Sequence, residues 1–331
     1  MPDMNAPIKL GANLWNQYTD WPAFLEAMQR AEDLGYDSLW TWDHVYPIVG
    51  STEGPMLEAY TAMAAVAAQT KRATIGHLVG ANTFRNPALL AKMVTTIDHI
   101  SGGRAVLGIG AAWMEPEHTG FGIEYGDRPG TRLKWLAQAL PIIRGMLDGT
   151  EPSAPQDGRY SMQAVRNDPP PLQRHVPILI GGSGPKVTLK LVAKYADMNN
   201  LGSPVASIHL KDPILVEHCR DVGRDEREIE RTVELQRVVV RDSREGALTR
   251  EAEILALNGG AKDDEVRAGS AGVDSDRIVG GSPDDVYEQL LPYVDAGYRH
   301  LICGFPPPYD DETMRRMATE VRPRLEAHIA G

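Results

Sequence analysis

Cysteine is nearly absent from this chain. Only Cys219 and Cys303 occur among 331 residues, far apart and in no partner pattern, so neither a disulfide framework nor a zinc site is indicated. Long hydrophobic runs are missing as well. None approaches the roughly 20 residues that span a bilayer, and residues 1–7 lack the basic stretch and apolar core of a secretory leader. A cytoplasmic protein with no membrane partner is therefore expected. Positive charge is in deficit, and the formal net charge of -11 opposes long-range association with nucleic acid or an anionic surface. Two catalytic signatures are also lacking: a Gly-x-Ser-x-Gly nucleophile elbow and the Walker spacing of a P-loop.

What is present is an ordinary globular composition. With 42% hydrophobic and 24% charged residues, the chain can bury a full core. Its length fits two average domains or one large barrel. Apolar runs predict strands at 8–14, 38–44, 73–80, 104–110, 177–182, 197–201, 231–240 and 300–305. Helical spacing fills the intervals. Asp20 is placed as an N-cap and Gly35 as a helix stop, and Leu133, Leu136, Leu140, Ile143 and Leu147 form one buried stripe.

Residues 149–176 read as an irregular excursion with a hairpin near 159–164, and residues 258–276 as a polar insertion able to cover a site. Eight strands alternating with helices predict an α/β fold, a single (β/α)8 TIM barrel over residues 1–331 with insertions after strands 4 and 7. An open doubly wound sheet is the alternative, because alternation alone does not establish closure.

In such a barrel the chemistry lies at the carboxyl ends of the strands. Asp43-His44 ends the second strand, pairing a carboxylate with the side chain that titrates near neutrality; it suits proton transfer, or the histidine simply caps a strand. The third strand ends in Leu78, Val79 and Asn82. The fourth runs through Gly110 and Ala111 into a loop with Trp113, Glu117 and His118. Glu115, Glu117 and His118 have the composition of a metal cluster but not the two-histidine helical spacing of a zinc hydrolase, and no metal is expected. Gly181-Gly182-Ser183-Gly184 leads from a strand into a helix, where backbone N–H groups can hold a phosphate, or where a tight turn merely needs glycine. The histidines at 99, 175, 209, 218, 300 and 328 read as surface or supporting residues.

Taken in order, these segments resemble the luciferase-like monooxygenase superfamily, in its branch of flavin and coenzyme F420-dependent oxidoreductases. The likeness rests on Leu39-Trp40-Thr41-Trp42-Asp43-His44, Asn82-Thr83-Phe84-Arg85-Asn86-Pro87, Asp98-His99-Ile100-Ser101-Gly102-Gly103-Arg104, Leu107-Gly108-Ile109-Gly110-Ala111-Ala112-Trp113, Glu117-His118-Thr119-Gly120-Phe121-Gly122, Ile180-Gly181-Gly182-Ser183-Gly184 and Ala196-Asp197-Met198-Asn199-Asn200.

The resemblance implies F420, or alternatively FMN, lying across the strand ends with its phosphate at Gly181 to Gly184 and a cis Leu78-Val79 peptide behind the ring. Asn82, Gly110, Ala111, Trp113, Glu117 and His118 would line the cofactor cleft. It implies that His44 handles protons, that Asp43 orients His44 and hydrogen-bonds the cofactor, and that the chain forms a homodimer. Trp113 stands where the sugar-phosphate dehydrogenases of this superfamily place a Glu, and their substrate-phosphate lysines have no convincing equivalent. Trp15, Trp42, Trp113 and Phe305 instead suggest a small apolar or aromatic substrate, although tryptophan also fills cores. The functions implied are F420-linked hydride transfer, a reduced-FMN monooxygenase, or a flavin-binding barrel without turnover.

Overall fold

The computed structural model describes residues 4, 6–156, 158–201, 204–260 and 278–331. Its strands are β1 (Lys9–Leu14), β2 (Ser38–Thr41), β3 (Thr74–His77), β4 (Gly80–Ala81), β5 (Leu107–Gly110), β6 (Ile178–Gly181), β7 (Met198–Asn200), β8 (Glu230–Leu235), β9 (Arg237–Val240), β10 (Ile278–Gly281) and β11 (His300–Phe305). The helices are α1 (Trp21–Asp33), α2 (Ala59–Gln69), α3 (Pro87–Ser101), α4 (Glu115–Phe121), α5 (Pro129–Leu147), α6 (Thr188–Tyr195), α7 (Val205–Asp221), α8 (Arg244–Leu257), α9 (Pro283–Asp295), α10 (Asp311–Arg316) and α11 (Arg322–Ala330). Local chemistry sets several of these ends. The Asp20 carboxylate accepts from Ala23 N at 2.9 Å to start α1, and Ser282 and Asp285 form a reciprocal capping box at α9.

Nine strand segments make one parallel sheet in the order β3, β2, β1, β11, β8, β7, β6, β5, β4. The two ends of that order are pieces of the same strand, parted only by Leu78 and Val79. Ile75 N donates to Arg104 O at 2.9 Å and Val106 N to Ile75 O at 2.8 Å, which joins β3 to the chain entering β5. The sheet therefore closes into an eight-stranded barrel, and the open-sheet alternative is overturned.

Side chains alternate across the barrel wall. Leu10, Ala12 and Leu14 of β1 pack outward with Phe24, Met28 and the helical core, whereas Trp40, Leu78, Val106, Leu179, Met198 and Ile302 fill the interior. Below this plug runs a polar chain. Trp40 Nε1 donates to Ser38 Oγ at 2.7 Å, Ser38 Oγ meets His300 Nε2 at 2.7 Å, and His300 Nδ1 meets Glu230 Oε1 at 2.7 Å. His300 is thus a buried structural residue rather than a surface one.

Burial raises the Glu230 carboxyl, but His300 and Lys9 outweigh it and hold the group at about 2. A depressed carboxylate stabilises the fold above its unfolded value, and that contribution is lost as pH falls from about 4.5 towards 2. Denaturant unfolding at pH 6 and pH 3 should show a loss on the order of 2 kcal/mol that Glu230→Gln largely abolishes.

Three expectations need correction. The seventh strand is not continuous over 231–240; it breaks after Leu235, and β9 leaves the barrel to pair with β10, a strand the sequence reading missed. The β-branched run through Val240 continues the apolar pattern without a glycine or proline to mark the break. The closing helix, which helical spacing predicts as one element over 310–327, is likewise divided. Pro323 removes an N–H and crowds the carbonyl one turn back, and the chain widens into a π turn over Met317–Val321. Finally, the loop after β5 contains α4, a short helix, where an open loop was expected.

Among the described residues of the excursion at 149–176 there is no regular strand, but Ala154 and Met162 form an antiparallel bridge near the expected hairpin. The proposed covering insertion falls largely on 261–277, outside the described residues. Among the described residues, no helix is long and apolar enough to cross a membrane.

Candidate active site

The carboxyl ends of β1, β2, β4, β5, β6, β7 and β8 converge on one mouth. His44 follows β2 and is nearly buried. Its Nδ1 lies 2.9 Å from Glu117 Oε1 and 3.0 Å from Oε2, and Val45 N donates to the same carboxylate at 3.1 Å. An ionised carboxylate accepts only, so it selects the tautomer with the proton on Nδ1 and leaves Nε2 as an acceptor. Trp113 packs its ring against His44 at 5.4 Å.

Asp43 points elsewhere. Arg85 donates to both of its oxygens, at 2.7 and 3.0 Å, and Ala81 N donates at 2.8 Å. The expectation that Asp43 orients His44 is therefore wrong; the orienting carboxylate is Glu117. Asp43 instead ties the β2 end to β4. Arg85 also binds Glu58 at 2.7 Å and lies over the Tyr60 ring, which stacks on His77 at 3.8 Å. Burial pushes His77 down to about 4 against the pull of Asp43, so this ring is neutral.

Glu117 and His118 are adjacent in sequence yet serve different neighbours, because successive residues of α4 point about 100° apart. His118 is wholly buried, with Nδ1 2.6 Å from Met114 O and Nε2 2.7 Å from Thr83 Oγ1. Burial lowers its pKa. These contacts support the loop and keep His118 from joining Glu117 as a metal ligand. Among the described residues, no cluster of three metal-ligating side chains occurs.

The Leu78-Val79 peptide is cis, as the resemblance implied. The Val79 side chain fits between Gly110 and Gly181: a Cβ on either glycine would come within 2.8 or 2.9 Å of its methyl carbons. These two glycines thus make room for the bulge. Asn82 is buried, hydrogen-bonds Tyr160 Oη at 3.1 Å, and keeps its Oδ1 without a partner among the described residues. Ala111 is half-buried on the β5 rim beside Ala112, whose φ is +67°.

The turn Gly181-Gly182-Ser183-Gly184 precedes α6, which has no side-chain N-cap, so its first N–H groups have no such partner. Lys211 of α7 donates to Ser183 Oγ at 2.6 Å and adds positive charge beside that turn. The sequence reading did not single out Lys211. Backbone donors, a hydroxyl and an ammonium form a donor set suited to a phosphate.

On the opposite side of the mouth, the Trp15 and Trp42 rings lie 4.5 Å apart, tilted by 34°. Phe305 does not join them; it packs outside the barrel wall, edge-on to Tyr36.

A model of the family described as Luciferase-like monooxygenase matches residues 4–300. An F420-dependent glucose-6-phosphate dehydrogenase of Amycolatopsis mediterranei is 28% identical over 92% of this chain and 94% of its own length. The Pyrimidine monooxygenase RutA of Stutzerimonas stutzeri is 30% identical over 60% of this chain and 56% of its own. Among solved structures, an F420-dependent secondary alcohol dehydrogenase in complex with an F420-acetone adduct superposes with a TM-score of 0.80, at 21% identity over 95% of this chain and 98% of that one. With the closed parallel barrel already established, the family match over most of its length places the chain in the luciferase-like monooxygenase family, as an oxidoreductase.

Proposed function

We propose that this chain uses coenzyme F420 to transfer hydride to or from a small organic substrate with an apolar or aromatic body. The observation that carries the reading is the His44-Glu117 pair: a tautomer-fixed imidazole at the barrel mouth, beside Trp113. Its Nε2 can take the proton of a substrate hydroxyl or return one to it. When bound, the deazaflavin supplies hydride chemistry, and the protein's part is to orient, exclude water and move the proton.

The donor set of Gly181 to Gly184 and Lys211 would hold the cofactor phosphate, and Val79 would back the ring. Asn82 Oδ1 and Asn13 Oδ1 are buried acceptors without partners among the described residues, consistent with a polar ligand at the mouth. Support also comes from F420-dependent relatives aligned over nearly the whole chain. Trp42 and Trp113 at the mouth favour an apolar substrate body over a sugar phosphate.

Titration with oxidised F420 and with FMN, followed by fluorescence, should give at least about tenfold tighter binding of F420, a difference of about 1.4 kcal/mol. Tighter binding of FMN would move the assignment to a reduced-FMN monooxygenase. Lys211→Ala should weaken binding of the preferred cofactor about tenfold, in line with loss of one charge-assisted contact.

A further inference from the structure

Glu234 lies on the inner face of β8, at the same register as Ile302 of β11, which belongs to the barrel interior. It is a half-buried carboxyl inside an otherwise apolar and neutral wall. Asn13 Nδ2 donates to its Oε1 at 2.8 Å and Trp42 Nε1 donates to the same oxygen at 3.1 Å. Both protein hydrogen bonds thus fall on one oxygen. Among the described residues nothing binds Oε2, and that oxygen is absent from the sealed, partnerless side-chain atoms, so it reaches open space.

We infer that Glu234 is the polar anchor of the substrate chamber, its Oε2 hydrogen-bonding the carbonyl or hydroxyl oxygen of a neutral substrate whose apolar body rests beside Trp42. This rests on the mouth being the substrate chamber of the proposed oxidoreductase. The surroundings suit a neutral partner. β1 presents Asn13, the β2 end presents Trp42, and β11 presents Ile302, all uncharged; His44 is the titratable group acting on Glu234 across the mouth. Burial raises the Glu234 carboxyl more than Trp42, Asn13 and His44 lower it. Such a group keeps its proton to higher pH than an exposed glutamate and can donate to a carbonyl oxygen. Trp42, backed by the buried Trp15 ring tilted 34° from it, gives the rest of a ketone or alcohol an apolar edge.

The test is an NMR saturation-transfer titration of cyclohexanone into the full chain without cofactor, from pH 5 to pH 9. Wild type should bind the ketone and lose about fivefold in affinity as Glu234 ionises, the worth of one donor hydrogen bond. Glu234→Gln, which still donates at every pH, should bind the ketone without the loss that wild type shows on ionisation of Glu234. Glu234→Leu should bind at least about fivefold more weakly than wild type at pH 5. No ketone binding by wild type, a pH profile unchanged in Glu234→Gln, or full affinity in Glu234→Leu each overturns the assignment. F420 titration of the same proteins is read separately: unchanged affinity is expected, and failure of all of them to bind F420 would sink the functional reading while leaving the ketone result to judge Glu234.

Discussion

Replacing His44 with alanine should slow single-turnover hydride transfer by at least about tenfold and up to about a hundredfold, the range of a positioned general acid or base. The partner that readies His44 is Glu117. Its carboxylate is wholly buried and binds both His44 Nδ1 and Val45 N, so it fixes the ring and the backbone that carries it. Glu117→Gln keeps the size of the side chain but gives the amide a choice of donating to Nδ1, which would put the proton on Nε2 and block the acceptor. That variant should therefore fall close to His44→Ala, and the double variant should be little worse than either, because the two residues act as one unit. The measurement is the absorbance change of F420 in stopped flow, with F420 affinity followed alongside. Equal rates for wild type and His44→Ala would remove His44 from proton transfer.

Gly108→Ala should be one of the most destabilising single methyl additions in the barrel. A Cβ at this position would lie 1.7 Å from His77 O and 2.9 Å from His77 C. The obstacle is backbone, held in a strand that helps close the barrel, so no rotamer change relieves it. A loss above about 3 kcal/mol is expected, out of a total of about 5–15 kcal/mol for a typical folded protein. Thermal unfolding should show a Tm lowered by about 4 °C or more. Gly110→Ala meets only a Val79 methyl at 2.8 Å, and its effect should be reduced when Val79→Ala is made with it. A Gly108→Ala protein as stable as wild type would show that β3 can retreat from β5.

The barrel was legible because its strands and helices are regular over most of the chain, and its helix caps are written in local residues such as Asp20 and Asn86. The β8/β9 break was not, since it depends on β9 finding β10 as a partner across a stretch of sequence. At the site, the motif segments located the mouth but not the pairings within it. The resemblance implied that Asp43 serves His44, whereas the fold brings Glu117 from 73 positions away and gives Asp43 to Arg85. Glu234 and Lys211 were hidden for a related reason. One alternates within an ordinary strand and the other sits in an ordinary helix, and only closure of the barrel and packing of α7 bring them to polar neighbours.

The seating of Val79 between Gly110 and Gly181 has a consequence for how this sequence can change over generations. Three residues from three strand ends share one small volume, and a methyl added at either glycine must be matched by a methyl removed at 79. The three positions are therefore inherited as one character. Any lineage that enlarges one of them should carry a compensating reduction at another, and drift should leave the trio alone even where the surrounding loops diverge.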